Sequence, residues 1–180
     1  EGYAADRLAD VKQRLSVLGT RFTQNLLADE REWFMPLDDL TGLPDFVIQA
    51  ATTAGEDKKA RGPVVTLSRS LIVPFLQFSP RRDLRQKAYD AWTSRGAMGG
   101  ETDNRDIAAE TLSLRAERAN LLGYDTFADY KLETEMAKTP DAVRALLMQV
   151  WEPAKASALA DATVLQAMMH NDDEQGPLEP

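Results

Sequence analysis

The chain has no cysteine and a single histidine, His170, among 180 residues. Without cysteine there is no disulfide framework, no thiolate metal site and no cysteine nucleophile. The same lack fits a reducing compartment, and a cytoplasmic location is expected. No apolar stretch approaches the ~20 residues a membrane helix needs; Leu71–Leu76 is typical of the longest. Basic charge is also short, with 21 Lys and Arg against 29 Asp and Glu and a net charge of −8. Nucleic-acid binding needs clustered cations that displace counterions, so that class is excluded. The densest basic patch, Arg81, Arg82, Arg85 and Lys87, is interrupted by Asp83 and Asp90 and reads as a solvated helix face. There is no internal repeat and no low-complexity tract. The N-terminus has no basic-then-apolar leader and no initiator Met, so a piece of a longer protein is expected.

What is present is helical periodicity. From Tyr3 to Ala28 the apolar residues Leu8, Val11, Leu15, Leu18, Phe22 and Leu26 recur in steps of three and four, the pattern of a long amphipathic helix. Such a seam requires a neighbouring helix to bury it. Trp33–Leu37 and Val64–Leu67 read as short strands of a small hairpin-like sheet, with Pro36 confining the first to an edge. Between them a helix is expected over Pro44–Ala54, with Pro44 at its first position and Gly55 as its C-terminal cap. An apolar stretch, Leu71–Phe78, leads to Ser79-Pro80, which reads as the cap and first position of a helix reaching about Ser94. Gly96, Gly99 and Gly100 mark a loop. A further helix begins near Asp103-Asn104 and ends at Gly123, and a shorter one covers Thr126–Met136. Thr139-Pro140 opens the last long helix, which carries Val143, Leu147, Val150, Ala154 and Ala158 along one face; Pro153 should kink it. Asn171–Pro177 has loop composition. The expected class is therefore mainly α, a long-helix bundle with a small two-stranded β element, organised as one segment over residues 1–180.

Candidate chemistry is sparse. His170 with Asp172, Asp173 and Glu174 offers metal-ligating residue types, yet a catalytic zinc site needs three ligands in fixed geometry, and adjacent acids in a polar loop are usually solvated. A Ser-His-Asp triad would have to use His170 at a helix end, and no G-x-S-x-G elbow exists. Glu133 and Glu135 are two residues apart, a step that points helical side chains in different directions. Asp103, Asp106 and Glu110 sit where a helix N-terminus favours acids for electrostatic reasons alone. The stretch Gly96–Gly100 lacks the Lys-Ser or Lys-Thr of a phosphate loop. Met148, Met168 and Met169 with Trp151 have the spacing of a helical core face rather than of a soft binding surface. By this reading no residue is assigned a catalytic, cofactor-binding or metal-binding role.

One passage is more specific. Asn104-Arg105-Asp106-Ile107 precedes Leu112-Ser113-Leu114-Arg115-Ala116-Glu117-Arg118-Ala119, then Leu121-Leu122-Gly123-Tyr124, Phe127-Ala128-Asp129-Tyr130 and Met136-Ala137. This run resembles the thimet-oligopeptidase/neurolysin family of zinc peptidases, on its bacterial peptidyl-dipeptidase and oligopeptidase A side. Leu18–Leu27, Leu40-Thr41-Gly42-Leu43-Pro44, Pro74-Phe75-Leu76 with Leu84-Arg85 and Tyr89, and Val150-Trp151-Glu152-Pro153-Ala154 resemble other family segments in the same order.

The resemblance implies a parent that binds zinc through an H-E-x-x-H helix and a further Glu, with the motif Glu as general base. One histidine cannot supply that motif, so the ligands and catalytic residues are expected in the remaining catalytic half of the parent chain. On this reading the segment is a scaffold and channel wall upstream of the zinc motif, inactive alone. The whole enzyme would hydrolyse oligopeptides and release C-terminal dipeptides. The alternative is a standalone, non-catalytic helical module that binds a partner through a seam such as Leu8-Val11-Leu15-Leu18.

Overall fold

A computed structural model describes residues 2–172 and 175–179. Seven α-helices and two strands are present among the described residues: α1 Gly2–Glu32, β1 Phe34–Pro36, α2 Asp45–Asp57, β2 Val64–Thr66, α3 Arg69–Phe78, α4 Arg82–Thr93, α5 Arg105–Leu121, α6 Phe127–Leu132 and α7 Pro140–Asn171. A single 3-10 turn, Gly100–Thr102, precedes α5. The mainly helical class with a small two-stranded element is what the periodicity predicts. The chain divides into two units, Glu1–Glu117 and Arg118–Pro180, with the boundary inside α5.

In the first unit the sheet is antiparallel, pairing Phe34 with Thr66, Met35 with Val65 and Pro36 with Val64. With only two strands, both are edges, and Pro36 is tolerated for that reason. Val64, Val65 and Leu67 are fully buried, and the core closes over them with Val47 and Ala51 of α2, Leu71, Ile72 and Phe75 of α3, and Leu84 and Ala88 of α4. Trp33 and Trp92 pack against this cluster from its margin. The apolar stretch before Ser79 is thus a helix, continuous through Pro74.

Three helix boundaries differ from the sequence expectation. Gly55 lies inside α2 and is buried; the helix runs on to Asp57 and is capped at Lys58. A Cβ on Gly55 would stand 2.2 Å from the carbonyl oxygen of Gly62, so glycine is required for a close backbone approach rather than for a cap. Ser79 ends α3 and does not begin α4, whose first residue is Arg82. Its hydroxyl instead accepts from the Arg81 amide at 3.3 Å, a local turn, while its carbonyl accepts from Arg85 Nη1 at 2.6 Å. The short helix α6 also stops earlier than its sequence suggests, at Leu132 rather than Met136.

The seam of α1 finds its partner within the same unit. Arg7 forks onto Glu117 at 2.6 and 2.9 Å, and Arg14 onto Glu110 at 2.6 and 2.7 Å. One residue number rises as the other falls, so α1 and the first part of α5 run antiparallel. Val11 and Leu18 on α1 are buried, as are Ile107 and Leu114 on α5. Polar side chains fix the far end of the pair. Asn104 is 3% exposed. It donates through Nδ2 to the Phe22 carbonyl at 3.0 Å and accepts through Oδ1 from Asn25 at 2.8 Å. The buried Asp29 carboxylate accepts from the Gly96 amide at 2.7 Å. The glycine loop is therefore anchored at both ends, at Gly96 and at Asn104, whose own amide donates to the Gly96 carbonyl at 2.7 Å.

The surface ion pairs carry a pH signature. The Arg81 guanidinium hydrogen-bonded to Asp83 lowers that carboxyl from 3.8 to about 2, and Arg105 does the same to Asp103. Because these folded-state values are depressed, the stabilisation is complete above the unfolded value and is lost as the pH falls from about 4 towards 2. Melting temperature is expected to fall across that window, and the slope should shrink in high salt because both pairs touch solvent. A pH series of thermal melts at low and high ionic strength measures it.

Candidate functional site

The second unit is dominated by α7. Its start is well specified: Thr139 is extended and its hydroxyl accepts from the Ala142 amide at 3.2 Å, Pro140 follows at the first turn, and Asp141 complements the positive helix end. From there 32 residues run to Asn171 as one α-helix that continues through Pro153. At about 100° per residue, Val143, Leu146, Leu147, Val150, Ala154, Ala158, Val164, Leu165 and Met168 share a broad apolar stripe. Arg144, Gln149, Glu152, Lys155, Gln166 and His170 occupy the other side.

That stripe has no cover. No residue of α7 is buried, and Leu147, Val150, Leu165 and Met168 are 61%, 59%, 50% and 56% exposed. The expectation that Met148, Met168 and Trp151 form a core face therefore fails among the described residues: Met148 is also exposed, and only Met169 is half-buried. The spacing is that of a buried helix, yet nothing described in this unit packs along its length. A single exposed apolar side chain is ordinary, whereas a continuous stripe on a 32-residue helix marks a contact surface.

The run around Tyr124 and Tyr130 forms a second feature of this unit. Arg118 Nη2 donates to the Tyr130 hydroxyl at 2.8 Å and its guanidinium lies 5.1 Å from that ring's centre. Tyr130 meets Tyr124 edge-on at 5.4 Å and Phe127 at 5.9 Å. The Tyr124 hydroxyl donates to Glu133, and this bond raises the phenol above its usual value. Thr126 caps α6 by accepting from the Asp129 amide at 3.2 Å. The cluster ties residues 118–124 to α6 and so fixes where the chain enters α7. Its centre, Arg118, carried no signal in the periodicity; only its position in the run beside Tyr124 and Tyr130 points to it.

The candidate polar residues do not converge on a common site. His170 contacts Gln166 at 2.9 Å through Nε2, and Asp172 caps α7, while Asp173 and Glu174 lie outside the described residues. Glu135 pairs with Lys131 at 2.9 Å, separately from Glu133 on Tyr124. Asp103 is engaged by Arg105 and Glu110 by Arg14, with Asp106 in the first turn of α5. Gly96–Gly100 turns the chain around the Asp29 and Asn104 anchors. Among the described residues no group of three or more His, Cys, Asp or Glu is placed to hold a metal ion. Among the described residues no helix is long and apolar enough to cross a membrane.

Comparison with known proteins decides the family. Residues 75–180 match the sequence model of peptidase family M3. The chain belongs to peptidase family M3. Oligopeptidase A of Haemophilus influenzae is 33% identical over 156 residues, covering 83% of this chain and 23% of that protein. Oligopeptidase A of Escherichia coli is 30% identical over 168 residues, covering 89% and 25%. A dipeptidyl carboxypeptidase of Salmonella typhimurium is 30% identical over 176 residues, covering 92% and 26%. The chain thus spans about a quarter of the length of these relatives. The M3 match includes the whole of α7 and the Arg118–Tyr130 cluster, the two features that stand out in the second unit.

Proposed function

We propose that the chain is a non-catalytic scaffold and channel-wall segment of a zinc metallopeptidase, lying on the N-terminal side of its catalytic half. On this reading residues 1–180 carry no catalytic or zinc-ligating residue, and both are supplied by the rest of the peptidase. The observation that carries it is α7: a capped, 32-residue helix with an uncovered apolar stripe, inside the stretch that matches the M3 family. Such a stripe is a built face awaiting its other side, and relatives about four times as long have the chain to provide one.

The substrate is an oligopeptide, by analogy with relatives named oligopeptidase A; release of C-terminal dipeptides follows the relatives named dipeptidyl carboxypeptidase. A cytoplasmic setting is carried over from a relative at 32% identity named probable cytosolic oligopeptidase A, alongside an organellar one at the same identity. The purified 180-residue chain is expected to leave internally quenched peptides uncut, with or without added zinc. Cleavage that needs zinc and is abolished by a chelator would place a complete active site in this segment and overturn the reading.

A further inference from the structure

Within the apolar stripe of α7 there is one charge. Asp161 is exposed, and its neighbours one turn away on the helix are Ser157, Ala158, Val164 and Leu165, with Ala154 and Met168 two turns away. The other charged residues between Pro140 and Asn171 beyond the first turn, Arg144, Glu152 and Lys155, lie on the polar side. None stands three or four residues from Asp161, so the helix itself cannot neutralise it. Asp161 has no hydrogen bond or ion pair among the described residues. A carboxylate left alone in a contact that excludes water is strongly unfavourable, and removing charge from such a stripe would be simple if the position were indifferent.

Resting on the reading above, we propose that the part of the intact peptidase closing over α7 is an apolar face presenting one Arg or Lys to Asp161. The occupant is a further segment of the same protein. Three observations support this choice: the family match runs through the full length of α7, the relatives have about three further quarters of chain, and a single anionic point in an apolar stripe calls for a single cationic point opposite. The pair would set the register in which the two faces meet, because sliding either face by one helical turn strands both charges.

The test uses the intact protein and thermal melts of three variants. Asp161→Asn removes the charge and keeps the shape, Leu165→Asp disrupts the apolar contact one turn away, and Lys155→Gln changes the polar side as a control. Expected are falls of about 2–4 °C for each of the first two, and no change for the control. Asp161→Asn that is neutral or stabilising, with Leu165→Asp destabilising, means a covered stripe without a cation and overturns this inference alone. If Leu165→Asp is neutral as well, α7 is uncovered and the scaffold reading falls with it. Should Leu165→Asp instead convert a dimer into a monomer by light scattering, the occupant is a second copy of the chain and the proposal is wrong.

Discussion

Alanine at position 55 is expected to destabilise the first unit by about 3 kcal/mol, although Gly55 lies in a helix where alanine is ordinarily the better residue by about 1 kcal/mol. The sign is decided by what a methyl group would meet. A Cβ there stands 2.2 Å from the Gly62 carbonyl oxygen, 3.0 Å from its carbon and 3.4 Å from Pro63 Cα. These are backbone atoms and cannot rotate aside. Relief requires moving the strand entry at Gly62-Pro63, whose Pro63 carbonyl accepts from the Leu37 amide at 2.9 Å, just where β1 and β2 close. The gain in helix propensity and the lower entropy of the unfolded chain, each at most about 1 kcal/mol, offset only part of that cost. Urea denaturation followed by tryptophan fluorescence reads it, since Trp33 and Trp92 border the core. A Gly55→Ala variant as stable as the parent, or more so, would show that α2 and β2 do not approach as described.

Replacing Phe75 by alanine should cost about 3–5 kcal/mol. Phe75 is 1% exposed and projects from α3 into the cluster formed by β2, α2 and α4. Its loss removes a large buried ring and leaves a cavity bounded by several elements, which cannot all collapse together. The same substitution at Phe46, 56% exposed and stacked edge-on against Phe78, should cost far less. Equal effects at the two positions would contradict the assignment of the core to the β2–α3 layer. Parallel denaturation curves of the two variants make the comparison.

Residues that act through local chemistry were legible in the sequence. Thr139-Pro140 opens α7, the alternating three- and four-residue steps mark α1, and Val64–Thr66 forms a strand beside Phe34–Pro36. Where a residue answers to a distant part of the chain, the local signal misleads. Gly55 resembles a cap but is small because Gly62 approaches it, and Ser79-Pro80 resembles a helix start but closes the preceding helix. The spacing of Val150 and Met168 is that of a buried face, which is sound as a statement about the helix and silent about what covers it. The polar anchors Asp29 and Asn104 were invisible for the same reason: their partners, Gly96 and Asn25, lie 67 and 79 residues away. The family was carried by the order of short runs around Arg118, Tyr124 and Tyr130, whose contacts only the folded unit displays.

Either α7 is a finished surface or it is half of a contact. Hydrogen–deuterium exchange on its amides, compared between the isolated 180-residue chain and the intact protein, measures this directly. Rapid exchange is expected along Pro140–Asn171 in the isolated chain, where the helix has no cover, and strong protection of the same amides in the intact protein. Equal exchange in both would show that nothing closes over the apolar stripe, and would contradict the proposal that the segment is a scaffold of a larger peptidase.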